Sequence, residues 1–317
     1  MKLSQLKAIL QVAECGSLVK AADRLNTVQP AVSRQIRMLE DELQASLFER
    51  HGRGMIPTDA GRMAIAGARR IMAELERIQS DVSEMNSNIR GRVVLGMPPA
   101  LADLLAVPLV ELFQRTHPLV ELHLISAFTG HLREWMLHGE IDIAIIYELP
   151  GSRAIYAMPL LREGLYLVGP PHAALSPDIP IAFSKLDGRD FILPPPSHSL
   201  PAMIEQTCAQ MGITIKVRVK VDSLPAIKTL VASGFGWTVL PLAPISAEVQ
   251  TGQLCAAPLC QPSLSRRLVI AQPADRRPSR AAQFAVAAVV STVLELIQKK
   301  TLFGQVEAAD PLSELEL

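Results

Sequence analysis

The chain has 317 residues, 49% of them hydrophobic, and its 31 basic and 31 acidic residues cancel to zero formal charge. That length leaves room for two or three domains, and that composition excludes a disordered chain. The zero balance argues neither for nor against a nucleic-acid partner, which only a local segregation of charge can indicate.

The opening residues, MKLSQLKAIL, lack the long apolar core and small-residue cleavage site of a secretory signal. Two apolar stretches come nearest to a membrane span. VVLGMPPALADLLAVPLVELF is broken by prolines and Asp103, while AAQFAVAAVVSTVLELI carries Gln283 and Glu295 and reads as a packed helix. Cys15, Cys208, Cys255 and Cys260 are scattered, with no cluster that completes a zinc site. The expectation is a cytoplasmic chain with reduced thiols, no metal, no cofactor and no membrane partner.

Ser17 is placed to cap a helix whose apolar positions are Leu18, Ala21, Ala22 and Leu25. Asn26 and Thr27 break it, and Pro30 suits the first turn of the next helix, where its missing N–H is not needed. Val32, Ile36, Leu39 and Leu43 then form one apolar stripe. Gln29, Pro30, Ser33, Arg34 and Arg37 fall on the opposite, basic face. Two short helices with such a face on the second describe a helix-turn-helix, and an ordinary helical hairpin with a solvated face is the blander alternative. Arginine can read guanine and glutamine can read adenine through paired hydrogen bonds, whereas Ser33 suits a phosphate.

Leu47–Arg50 and Met55–Pro57 are expected to pair as a hairpin around His-Gly-Arg-Gly, with Arg53 at the tip beside Arg50 and His51. A basic hairpin beside a recognition helix is a wing that touches phosphates or a minor groove, and a plain surface turn is the alternative. Residues 1–90 hold 13 basic and 11 acidic side chains, so any DNA-binding character lies in local segregation; the acids of residues 40–42 sit at the far end of the second helix.

The run GSLVKAADRLNTVQPAVSRQIRMLEDELQASLFERHGRGMIPTDAGR resembles the N-terminal domain of LysR-type transcriptional regulators. It carries that family's alanine-rich second helix, its Gln-Pro-Ala-Val-Ser recognition helix, then Leu-Glu, Leu-Phe-x-Arg and Thr-x-x-Gly in order and spacing. Two positions depart from the pattern. Val28 stands where a serine often caps the recognition helix, which leaves capping to Thr27 or the backbone, and Gln44 replaces a frequent glycine, which predicts a differently shaped turn.

After Thr58, a cap, the sequence reads as helical to about Ile89, a length of roughly 45–50 Å. Ala64, Ala68, Ile71, Leu75, Ile78, Val82, Met85 and Ile89 alternate spacings of four and three. That heptad pattern predicts a two-chain seam rather than a helix packed on its own domain, with Ile71, Leu75, Ile78, Val82 and Met85 as dimerising positions. The resemblance implies the same use of this linker helix, and a dimer would present two recognition helices to two half-sites.

From Gly91 the sequence alternates strands and helices, which predicts an α/β domain with largely parallel sheets. Ligands in such sheets sit at the carboxyl ends of strands, making Pro98–Ala102, Ser126–His131 and Pro194–Leu200 the candidate loops. The last delivers Ser197, His198 and Ser199 ahead of a helix; they either hold an anion there or amount to a Ser199 cap and a surface histidine. Catalysis finds no support. Ser197 and His198 are adjacent and do not aim at each other, no Gly-x-Ser-x-Gly elbow or P-loop occurs, Gly-Phe-Gly-Trp at 234–237 lacks a third glycine, and the histidines have no metal spacing.

The segments HGEIDIAI and LVASGFGWTVLP are similar to the same family's C-terminal half. That resemblance implies a periplasmic-binding-protein-like fold of two lobes closing over a small effector. The expected layout is a winged helix-turn-helix at 1–60, a dimerising linker helix at 61–90, and a regulatory domain at 91–301. Its lobe I is 91–161 with 267–301, and its lobe II is 162–266. By the family's pattern, Ala100 and Leu101 stand where hydroxyl groups often hold the effector, Thr129 survives in the second loop, and Pro201 replaces an arginine. The expectation is an effector less charged than a small carboxylate, or no effector at all. AIIYE and LREGLYLVG resemble the branch of nitrogen assimilation control proteins. The implied partners are double-stranded DNA, an effector, a second and further copies in a tetramer, and RNA polymerase. A solute-binding protein is the rival reading, opposed by the first ninety residues. The segment 302–317 is read as a mobile acidic tail without a role.

Overall fold

Polar residues set where the first helices start. In the computed structural model, which describes residues 1–52, 54–82, 89–148, 153–196 and 198–308 without the side chains of 76, 77 and 79–82, α1 (Leu3–Cys15) is fastened by the side-chain Oε1 of Gln5 accepting from the Lys2 amide at 2.5 Å. Ser17 caps α2 (Leu18–Arg24) through the Lys20 amide, and Pro30 lies in the first turn of α3 (Gln29–Leu43) as its sequence requires. A hairpin of β1 (Phe48–His51) and β2 (Gly54–Pro57) follows, pairing Arg50 with Met55. Then comes α4 (Asp59–Val82).

The chain forms two compact units, Met1–Ser87 with Leu137–Glu140, and Asn88–Met136 with Ile141–Leu317. In the first, Leu6, Ile9 and Val12 of α1, Ala21 and Ala22 of α2, and Val32, Ile36 and Leu39 of α3 share one core with Leu47, Phe48, Ile65 and Ala68. Leu43 departs from the expected stripe: it is the last residue of α3 and is 45% exposed.

The linker reading also changes in part. As described, α4 is about 36 Å long, and Ile89 is not helical but packs on the core of the second unit. Ala68 is buried in its own domain and Ala64 packs against it, so neither is open to a second chain; of the positions expected in the seam, Ile71 is 38% and Ile78 49% exposed. Leu75 is half-buried. Met85 and the side chain of Val82 lie outside the described residues.

The second unit runs β3 (Gly91–Met97), α5 (Pro99–Thr116), β4 (Val120–Ser126), α6 (Thr129–Leu137), β5 (Ile143–Tyr147) and a long β6 (Ile155–Gly169). It continues through β7 (Ile181–Ala182), β8 (Asp190–Leu193), α7 (Ser199–Met211), β9 (Lys216–Lys220), α8 (Leu224–Ala232) and β10 (Thr238–Pro241). It closes with α9 (Ser246–Gln250), β11 (Cys255–Cys260), β12 (Ser265–Pro273), α10 (Arg280–Gln298) and β13 (Gln305–Val306).

The expectation of largely parallel sheets holds for β3 with β4 and β5, and for β8 with β9. It fails where the chain crosses between lobes, because β6 runs antiparallel to β12, β10 and β11. Along β6, residues up to Gly164 pair with β12, while Leu165 to Gly169 pair with β10 and β11. One strand therefore belongs to two lobes. The first is built on β3–β6, β12, α5, α6 and α10, the second on β7–β11 with α7–α9.

Among the described residues α10 is the one helix long and apolar enough to cross a membrane. Its Ala285, Ala288, Val289, Val290 and Val293 are buried in the lobe I core with Leu105 and Leu109 of α5. Part of the supposed tail is docked there too, with Leu302 buried and Gln305–Val306 paired to Arg162–Leu161. The reading of 302–317 as mobile is corrected for residues 302–308, and 309–317 lie outside the described residues.

Candidate nucleic-acid interface and inter-lobe site

With Val32, Ile36 and Leu39 locked inward, α3 exposes Gln29, Pro30, Arg34 and Arg37 to solvent, with Ser33 half-buried beside them. Among the described residues no hydrogen bond or ion pair engages the guanidinium of Arg34 or Arg37. Capping of α3 falls to the backbone: the Val28 carbonyl accepts from Ala31 at 2.9 Å and Val32 at 3.4 Å, while the Thr27 amide donates to Ala22. At the other end Gln44 takes the left-handed conformation itself, with φ 52° and ψ 37°, and its Nε2 donates to the Asp41 carbonyl at 2.6 Å. The altered turn predicted for Gln44 does not form; the glutamine adopts the geometry of a glycine cap.

The remaining motif residues hold the hairpin in register with α3. Glu40 reaches past the helix end to accept the Leu47 amide at 2.7 Å. Thr58 donates its N–H to the Leu47 carbonyl and its hydroxyl to the Ser46 carbonyl, and that hydroxyl accepts from Gly61 at 2.9 Å to cap α4. A Cβ on Gly61 would stand 1.9 Å from the Leu47 carbonyl oxygen, which explains a glycine three residues after the threonine. Arg50 is exposed on β1, and His51 is 3.4 Å from the Glu49 carboxylate; Arg53 lies outside the described residues. An open cationic helix face beside a braced hairpin can dock on a duplex, arginines toward base edges and phosphates.

The sequence-chosen loops of the second unit meet only in part. Leu101 is 4% exposed and packed in the lobe I core, so it cannot face a ligand, while Ala100 is half-buried in the first turn of α5. Thr129 opens α6, and its hydroxyl accepts the Tyr147 amide at 3.2 Å. His198, not Ser199, is the cap residue of α7, and its side chain makes no capping bond. Instead its Nε2 lies 3.0 Å from Asp222 and its ring packs on Phe128 of lobe I with centroids 3.9 Å apart. Ser199 is half-buried in the first turn of α7, and Ser197 lies outside the described residues.

Sequence reasoning missed Phe128 and a buried polar cluster on the crossing strands. The Tyr147 hydroxyl donates to Glu163 at 2.8 Å, Arg266 donates to the same carboxylate at 3.2 Å, and the Arg266 guanidinium lies 3.6 Å over the Tyr147 ring. Burial pushes the Glu163 carboxyl above its ordinary range, with Arg266 pulling back, and burial also raises the Tyr147 phenol far above its usual value. The cluster draws on β5, β6 and β12, so no local motif announces it.

Residues 3–62 match the bacterial regulatory helix-turn-helix protein of the lysR family, and residues 86–293 match the LysR substrate binding domain. The chain is 29% identical over 303 residues to the nitrogen assimilation regulatory protein nac of Klebsiella aerogenes, covering 95% of this chain and 97% of that one. It is 31% identical over 277 residues to the transcriptional dual regulator GltC of Bacillus subtilis, covering 87% and 92%. Its fold is similar to a full-length OxyR variant from Pseudomonas aeruginosa, with TM-score 0.73, 24% identity and 92% and 94% of the two chains covered. It is also similar to full-length CbnR complexed with its target DNA, with TM-score 0.64, 21% identity and 93% and 99% covered. The chain therefore belongs to the LysR family, as a transcriptional regulator with a helix-turn-helix DNA-binding domain and a two-lobe effector-binding domain.

Proposed function

We propose that this regulator reads its DNA site with the outer face of α3 and acts as a dimer paired into a tetramer. Gln29, Arg34 and Arg37 supply base and phosphate contacts, Pro30 and Ser33 fit the helix against the backbone, and Arg50 and Arg53 place the wing on phosphates. The observation that carries the reading is the pair of unengaged guanidiniums on a helix whose other face is fixed in the core. Ile71, Leu75, Ile78, Val82 and Met85 form the seam between protomers. The proposed boundaries are 1–60 for the DNA-binding domain, 61–90 for the linker and 91–301 for the regulatory domain, with lobe I at 91–161 and 267–301 and lobe II at 162–266.

A small effector settles between the lobes near Ala100, Thr129, His198 and Ser199 and shifts the population of lobe arrangements. No catalysis is assigned to it, its work is in the cytoplasm, and RNA polymerase receives the signal at the promoter.

The deciding experiment is selection of genomic fragments by the purified protein beside Arg34→Ala. A few fragments sharing an interrupted palindrome, lost in the variant, are expected. Equal recovery by both proteins at low salt would remove the base-reading role of α3. For a bidentate contact, Arg34→Ala costs roughly 1–3 kcal/mol at its own base pair.

A further inference from the structure

Arg162 and Arg267 stand directly opposite one another on β6 and β12, at the place where β6 leaves lobe I for lobe II. Like charges in that position push two strands apart. The repulsion is answered from the end of the chain. Glu307 accepts from Arg162 Nε at 2.7 Å through one carboxylate oxygen and from Arg267 Nε at 2.5 Å through the other. Glu148 adds a looser contact to Arg267 at 3.3 Å.

The segment carrying Glu307 is held on both sides of it. Leu302 is buried in the lobe I core, Gln305 and Val306 pair with Arg162 and Leu161, and the Glu307 amide donates to the Leu160 carbonyl at 3.0 Å. At Gly304, with φ 158°, a Cβ would stand 2.6 Å from the Arg162 carbonyl oxygen. The segment thus lies against the strand that both lobes share, on the β6 edge just short of where β10 and β11 take over.

We propose that Leu302–Ala308 is a strap that fastens the inter-lobe hinge, with Glu307 as its positioning residue, acting through Arg162 and Arg267. The carboxylate permits two arginines to lie side by side on the crossing strands and ties both to a third strand. Any effector that changes the lobe angle works with or against this fastening. The strap stands on its own geometry and does not depend on which effector is bound.

Hydrogen exchange on the full-length chain tests it. In Glu307→Gln, amides of residues 161–165 and 265–268 are expected to exchange at least about tenfold faster, because the neutral amide keeps one acceptor oxygen, leaves one arginine without its partner and removes the charge that offsets the pair. Amides of β3, β4 and α3 keep their rates. Adding Arg162→Gln removes the like-charge pair and brings the hinge back to within about threefold of the parent. Unchanged hinge exchange in Glu307→Gln overturns the proposal. So does faster exchange spread evenly through lobe I, or a double variant that recovers nothing, since either makes Glu307 a general packing residue.

Discussion

Gly54 of the hairpin and Gly16 at the end of α1 touch backbone to backbone: the Gly16 carbonyl accepts the Met55 amide at 2.8 Å, and a Cβ on Gly54 would stand 2.3 Å from the same oxygen. Gly16 itself, with φ 59°, closes α1 by donating to the Val12 carbonyl at 2.9 Å. The wing is therefore docked on the first helix as well as on the start of the linker.

Gly54→Ala meets both that oxygen and an unfavourable φ of 123°. We expect a loss of about 2–4 kcal/mol in the unfolding of the N-terminal domain, read by urea denaturation. Gly52→Ala, where a Cβ meets nothing within 4 Å, serves as the comparison and stays within about 0.5 kcal/mol. Equal losses in the two variants would contradict the docking.

Thr58→Val keeps shape and removes the hydroxyl that serves Gly61 and Ser46. The expected cost is about 1–2 kcal/mol by thermal unfolding. A smaller fall would mean water replaces the cap.

At Gln44 the left-handed backbone makes the two simplest substitutions diverge. Gln44→Val forces a β-branched residue into that region and costs about 1–2 kcal/mol, whereas Gln44→Gly stays within about 0.5 kcal/mol of the parent. The order of their midpoints is the measurement.

Asp142 accepts the Val94 amide at 2.9 Å, and burial raises its carboxyl above the ordinary range, offset in part by that bond and by Arg276 and Arg92. The folded chain thus holds this proton more tightly than the unfolded chain. The stability it contributes is full below about pH 4 and is lost as pH rises through the folded value. Glu163 acts in the same direction. Asp142→Asn can keep the accepted bond, so it is expected to flatten the fall in stability with rising pH. An unchanged profile of unfolding midpoint against pH would exclude Asp142 as a source.

The helix-turn-helix was legible because its signals are local. Ser17, Pro30 and the Val32–Ile36–Leu39 stripe fall within one short run, and each acts through neighbours in sequence. Glu40 and Gly61 sit in recognisable motifs, yet their task of holding Leu47 appears only in three dimensions. The buried polar cluster on the crossing strands was not legible. Tyr147, Glu163 and Arg266 are brought together by strand pairing across the whole regulatory domain, and strand direction cannot be read from an alternation of strands and helices once the chain crosses between lobes. The end of β6 is an apolar run in the sequence, whereas the half beginning at Ile155 carries exposed Tyr156 and half-buried Met158 without clean alternation.

A strand shared between lobes also bears on how the chain is made at the ribosome. β5 is completed at Tyr147, but its partner β12 begins only at Ser265, and the α10 side chains that cover the sheet come later still. Lobe II, from Leu165 to Cys260, is contiguous and can close first. During that interval the apolar edge of β5 waits uncovered, so a slow or chaperone-poor translation of residues 148–264 is the stage at which nascent chains should aggregate.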